Sequence, residues 1–303
     1  QAEDGIRDRS PSRGLGDVYK RQGHEYVGIV EAVGDDVATV KPGDFVVGGF
    51  LHSDNTCALC LKGMHASCQH GGGYDGCQAE LIRIPNADGT LLATPGQPDA
   101  DLIPSLLALS DVMCTGWHGA VSAGVTAGSS VVVVGDGAVG LSAVLAAREL
   151  GATTIVAMSR HADRQALARE FGATDIVTER GDEGVERIKE LTGGYGAHSV
   201  LECVGTAEAM QQAIRSTRRG GHVGYVGVPH DMKLDGLDLF FSHVHLHGGP
   251  APVRGYLPHL IDLIWNRTID PGRVFDLHLP LDQAAEAYRA MDERRAIKVL
   301  LQP

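Results

Sequence analysis

Three thiols crowd into twelve positions, Cys57, Cys60 and Cys68, spaced C-x2-C-x7-C in a loop rich in turn formers. Tetrahedral zinc takes four ligands on pliable backbone of this kind. Asp54 stands one further x2 step upstream and is the first choice for the fourth ligand, since carboxylate oxygen is an accepted zinc donor; His65 and His70 are the alternatives. The competing reading is a set of reduced thiols around a site that has lost its metal. A second candidate is the His24-Glu25 pair at a strand start, weak alone because most single histidines serve structure or face solvent. A third is Gly135-Asp136-Gly137-Ala138-Val139-Gly140, which follows the run Val131 to Val134 at once and leads into LSAVLAAREL. This is G-x-G-x-x-G between strand and helix. Gly135 permits the tight turn, Gly137 lets the backbone approach a pyrophosphate, and Gly140 lets helix pack on strand. The amides of Ala138 and Val139 fall at the helix N-terminus, where partial positive charge collects.

About 20 residues past such a loop, an acid at the end of the second strand would hold the ribose hydroxyls of NAD. Here the residues are Ser159-Arg160-His161, backed by Arg164, with no acid before Asp163. A hydroxyl, a guanidinium and an imidazole offer donors and positive charge to a 2′-phosphate, so NADP is expected in preference to NAD. The bland reading makes Arg160 and Arg164 solvated helix-start charges, with either cofactor accepted.

These side chains need a scaffold, and the apolar pattern supplies one. From Gly23 to about Pro95, short β-branched runs broken by turns (YVGIVEAVG, TVKPGDFVVGGF, AELIRIP) describe an irregular β domain. Pro42-Gly43 suits a type II turn. From Asp101 to Gly124 the spacing is helical. After Ser130, strands alternate with helices over 138–150, 162–171, 183–192 and 206–217, which means a doubly wound parallel sheet. The fold class is therefore α/β, a Rossmann sheet plus a β-rich domain. A tail with helices near 255–266 and 282–291 and strands VFDLHLPL and IKVLLQP could rejoin the first domain. The expected division is 23–112 with 250–303, and 113–249 for the dinucleotide-binding domain. Residues 1–22 lack apolar period, h-region and cleavage site; read back into codons they resemble sequencing-adapter sequence, and they are set apart as non-native.

Composition narrows the partners. The net charge of -12 repels polyanions, so neither nucleic acid nor an anionic membrane is expected, and a small molecule is. The longest apolar run, 130–150, is interrupted by Asp136 and glycines, which excludes a bilayer span of roughly 20 residues. Six cysteines, half of them clustered, suit metal and a reducing cytosol better than a disulfide framework. A soluble cytoplasmic protein is expected.

GHEYVGIVEAVGDDV with VKPGD, the cysteine loop, the G-x-G-x-x-G unit, Leu201-Glu202-Cys203-Val204-Gly205 and the closing IKVLLQP together resemble a zinc-containing alcohol dehydrogenase of the medium-chain dehydrogenase/reductase superfamily. The likeness spans 23–303. It implies a groove between a GroES-like catalytic domain and a Rossmann domain, with a catalytic zinc at its floor. The family's zinc is held by an early cysteine, by the histidine of the GHE motif, and by a Cys or Asp four positions before a threonine. His24 matches the second, with Glu25 as a nearby alternative, and Asp111 is chosen over Cys114 for the third. Thr115 would position the nicotinamide, and Val204 and Gly227 would line the cofactor cleft. The early cysteine and its proton relay would precede Gly23, so a chain starting there is expected to have little activity. In the family a fourth cysteine stands where this chain has Asp54. Cys77 and Cys203 read as packing residues, and His118, which could face the cofactor, reads as structural. The reaction implied is hydride transfer between NAD(P) and an alcohol, aldehyde or ketone, in a homo-oligomer. The rival readings are a zinc-free quinone or enoyl reductase and a non-catalytic nucleotide-binding protein.

Overall fold

The computed structural model describes residues 22–73, 76–230 and 232–303; apart from Gln22, the segment set apart as non-native lies outside the described residues. β1 (Val27–Ile29) pairs antiparallel with β2 (Phe45–Gly48). The turn before β2 has the expected type II form, with Gly43 at φ 90° and the Asp44 N–H donating to the Lys41 carbonyl at 3.1 Å. A short hairpin, β3 (Leu51–His52) with β4 (Gly72–Gly73), brackets the cysteine loop. β5 (Leu91–Ala93) completes a sheet ordered β1-β2-β5.

The run AELIRIP, expected as a strand, is not one. Its alternation survives as facing: Ile82 and Ile84 turn toward the small core of Tyr26, Val40, Val46, Cys77 and Leu91, while Leu81 is 75% exposed. Among the described residues no strand lies beside it, and facing without a neighbour makes no ladder.

The second half is a six-stranded sheet of β6 (Ser130–Val134), β7 (Thr154–Met158), β8 (Asp175–Val177), β9 (Ala197–Glu202), β10 (Thr217–Tyr225) and β11 (His245–Gly248). Its order is β11-β10-β9-β6-β7-β8, every neighbouring pair parallel. Val131, Val132 and Val133 are wholly buried, as a strand covered on both faces requires. Helices follow the strands at Ala138–Glu149, Ala162–Phe171, Gly181–Leu191 and Ala207–Ser216, each within two residues of expectation at either end. Strand order reverses between β6 and β9, and ligands of such sheets bind at that switch.

The chain then runs through helix Val253–Trp265, β12 (Phe275–Pro280), helix Ala284–Asp292 and β13 (Lys298–Gln302). This tail touches the first half repeatedly. Leu257 and Ile261 share a core with Phe45 and Val47. The Gln78 amide donates to Tyr288 Oη at 2.8 Å, and Lys298 Nζ lies 2.6 Å from Glu25 Oε2. Among the described residues no helix is long and apolar enough to cross a membrane.

Candidate active site

Helix Val112–Ser122 begins at Asp111, whose carbonyl accepts the Thr115 N–H at 2.8 Å and whose Oδ1 accepts the Thr115 hydroxyl at 2.7 Å. The other carboxylate oxygen meets His24 Nε2 at 3.0 Å, across 87 positions of sequence. The preceding residue makes that meeting possible. Ser110 is fully buried; its Oγ accepts the Tyr26 N–H at 3.0 Å and donates to the Gly48 carbonyl at 2.7 Å. One hydroxyl thus fastens the segment carrying His24 to both β2 and the turn carrying Asp111.

The pair opens to water, with the His24 side chain 50% exposed and that of Asp111 22%. The hydrogen bond to Asp111 raises the His24 pKa against the opposing pull of burial. Burial pushes the Asp111 carboxyl up, but hydrogen bonds from His24 and Thr115 outweigh it and hold the group below its usual range. Two ligands on a tetrahedral ion at about 2.0 Å stand roughly 3.3 Å apart, so this pair has a spacing one zinc ion can bridge. Glu25 does not join it, being held by Lys298. Its second oxygen is buried without a hydrogen-bond partner.

Asp54, Cys57, Cys60 and Cys68 converge, with one ligand atom from each within 4.8 Å of the others. The Asp54 carboxylate accepts the N–H groups of Thr56 and Cys57 at 2.9 and 3.0 Å and faces His70 Nδ1 at 2.5 Å. His65 instead meets Asn55 Oδ1 at 2.8 Å. Backbone amides draw the Cys57 thiol down to about 7, whereas burial pushes Cys60 up to about 12. Three thiols and a carboxylate are a donor set that suits zinc.

At the mouth of the sheet the loop residues fall as their types require. Gly135 takes φ 118°, and a Cβ on Gly140 would stand 2.0 Å from the Gly135 carbonyl oxygen. Gly137 caps helix Ala138–Glu149, so the amides of Ala138 and Val139 open its first turn. Val204 abuts Gly135. Glu202, fully buried at the end of β9, binds the neighbouring loops: Oε1 accepts the N–H groups of Val204 and Gly205 at 2.8 and 2.7 Å, and its carbonyl accepts those of Val226 and Gly227. A charged residue inside an apolar strand run was the sequence signal for this anchor. Helix Val112–Ser122 packs on the loop's helix, where a Cβ on Gly116 would lie 2.5 Å from the Ala143 nitrogen.

The residues expected at the adenosine end divide. The Ser159 hydroxyl donates to Asp136 Oδ2 at 2.7 Å. Arg164, 9% exposed, sets Nη1 3.4 Å from Asp136 Oδ1. His161 Nε2 meets Arg294 Nη1 at 3.0 Å. Only Arg160 is left exposed, with Arg180 nearby, where burial and then the charge of Arg160 lower its pKa. Sequence reading passed over Ser110, Asp136, Arg180 and Lys298. His118 pairs with Tyr256 Oη at 3.0 Å, and burial together with His247 brings its pKa to about 4. Cys114 is fully buried, while Cys203 sits just past the end of β9 and only partly buried.

The chain matches two family models. "Alcohol dehydrogenase GroES-like domain" covers residues 11–95, beginning inside the segment set apart above, and "Zinc-binding dehydrogenase" covers 138–266. It is 33% identical over 291 residues to zinc-type alcohol dehydrogenase B of Aspergillus flavus, spanning 92% of this chain and 67% of that protein. It is 35% identical over 275 residues to a zinc-binding alcohol dehydrogenase of Mycobacterium tuberculosis, spanning 88% and 70%. Among solved structures, alcohol dehydrogenase TADH from Thermus sp. ATN1 superposes with a TM-score of 0.84 at 32% identity, covering 92% of this chain and 83% of that one. A zinc-binding dehydrogenase from Sinorhizobium meliloti 1021 bound to NADP does so with a TM-score of 0.81 at 28% identity, covering 99% and 86%.

Proposed function

The chain belongs to the zinc-binding alcohol dehydrogenase family, and on that premise we propose that it moves a hydride between NADP, in preference to NAD, and a small alcohol or its carbonyl partner. The observation that carries this is the meeting of His24 Nε2 and Asp111 Oδ2 at 3.0 Å, beside Thr115 and on a helix packed against that of the glycine loop. His24 and Asp111 would hold a catalytic zinc, and Asp54, Cys57, Cys60 and Cys68 a structural one. When bound, zinc supplies Lewis acidity to the substrate oxygen and the nicotinamide supplies hydride exchange.

The chain's own residues arrange the encounter. The Thr115 hydroxyl occupies one Asp111 oxygen and so turns the other toward His24. The glycine loop and the amides of Ala138 and Val139 receive the pyrophosphate, and the two loops tied by Glu202 flank it. Arg160 supports the preference for a 2′-phosphate. A zinc-free quinone or enoyl reductase would leave both ligand sets without a role. β11 lies at the sheet edge, which makes it the element proposed to pair in a homo-oligomer.

The test is a panel of primary, secondary and polyol alcohols, followed by NADPH and NADH formation, on zinc-loaded protein, chelated protein and the double variant His24→Ala/Asp111→Asn. Slow zinc-dependent turnover, absent from the variant and faster with NADP, is the expected result. Turnover equal in all three preparations would refute the metal assignment, and faster turnover with NAD would refute the cofactor assignment.

A further inference from the structure

A carboxylate is an unexpected occupant of a loop shaped to receive a pyrophosphate, yet Asp136 is placed between its first two glycines. Its surroundings account for it. Oδ2 accepts the Ser159 hydroxyl at 2.7 Å, and Oδ1 lies 3.4 Å from Arg164 Nη1, which also reaches the Asp136 carbonyl at 3.3 Å. Ser159 is fully buried and Arg164 nearly so. Ser159 follows the last residue of β7 and Arg164 lies in the first turn of the helix Ala162–Phe171 after it, at the strand end where the adenosine ribose lies in sheets of this kind. The position that would ordinarily carry a ribose-binding acid holds Ser159-Arg160, and the acid arrives from the neighbouring loop instead.

We propose that Asp136 sets discrimination at the adenosine ribose: by engaging the Ser159 hydroxyl and the Arg164 guanidinium it withholds both from a 2′-phosphate, and leaves Arg160 with Arg180 to read that group. The proposal rests on the dinucleotide reading of the groove and specifies how its 2′ end is tuned. Two opposed charges, Asp136 and Arg164, nearly cancel at this corner. Neutralising the carboxylate therefore releases a cation and a hydroxyl donor toward the ligand, and neutralising the guanidinium leaves an uncompensated anion facing it.

Isothermal titration of the whole chain with 2′,5′-ADP and with 5′-AMP tests this, because these fragments report on the adenosine end with neither zinc nor hydride transfer involved. In Asp136→Asn the affinity ratio of 2′,5′-ADP to 5′-AMP rises about tenfold, the effect of one charge a few ångströms away at intermediate dielectric. In Arg164→Gln it falls by a similar factor, and this second variant carries the test should the first not fold. A ratio within twofold of wild type in the variants that fold, or a rise in Arg164→Gln, overturns the proposal. Failure of the wild-type chain to bind either fragment overturns the groove reading beneath it.

Discussion

Replacing Ser110 with alanine removes one oxygen and orphans two buried backbone groups, the Tyr26 N–H and the Gly48 carbonyl that it bonds at 3.0 and 2.7 Å. Ser110 is wholly buried, and the missing oxygen leaves too little room for a water to take over both bonds. An unsatisfied buried donor or acceptor costs about 1–3 kcal/mol, so the pair amounts to roughly 2–6 kcal/mol. For a chain of this size that lowers the melting temperature by on the order of 5–10 °C. The loss has a local signature as well. Tyr26 is two residues from His24 and Ser110 adjoins Asp111, so the variant's zinc affinity falls together with its stability. Calorimetric melting and zinc titration measure the two. A melting temperature within about 1 °C of wild type would mean that the hydroxyl is not the fastener described, and the account of how the pair is aligned would fall.

Gly140→Ala places a methyl 2.0 Å from the Gly135 carbonyl oxygen. Overfilling a packed site costs about 1–3 kcal/mol, so NADPH affinity by fluorescence titration falls roughly tenfold or more; unchanged affinity would show that the loop does not receive the dinucleotide. Asp88 accepts the Thr39 hydroxyl and the N–H groups of Thr39 and Ala38, and the bonds from Thr39 hold its carboxyl below the ordinary range. Its contribution is complete above the unfolded carboxylate value and fades as pH falls through the lower folded one. Asp88→Asn therefore destabilises at neutral pH and converges on wild type in acid, and a penalty independent of pH in urea titrations would contradict this.

The parallel sheet was readable because its central strands β6, β7 and β9 are buried along most of their length and strands alternate with helices, so Val131 to Val134 and Gly135 to Gly140 announce themselves locally. The cysteine loop was readable for the same reason, its ligands lying within fifteen positions. AELIRIP was misread because side-chain alternation reports which way residues face and says nothing of a partner strand. The roles of Ser110 and Asp136 were invisible for another reason. Each acts through residues distant in sequence, Tyr26 and Gly48 for the first and Ser159 and Arg164 for the second. No single-chain pattern encodes that proximity. Asp136 nevertheless left a trace, since an acid in a phosphate-receiving loop goes against the local electrostatics and implies a counter-ion nearby.

The first half is completed by a segment that is synthesised only after the sheet, residues 253–302. Glu25 waits for Lys298, Gln78 for Tyr288, and Phe45 and Val47 for Leu257 and Ile261. The sheet from Ser130 to Gly248 has all its strands in one continuous stretch and can assemble while synthesis is still under way. Chains cut short at residue 250 should therefore carry a protease-resistant middle and a digestible beginning, so that the half bearing His24 matures only once residues 253–302 are available.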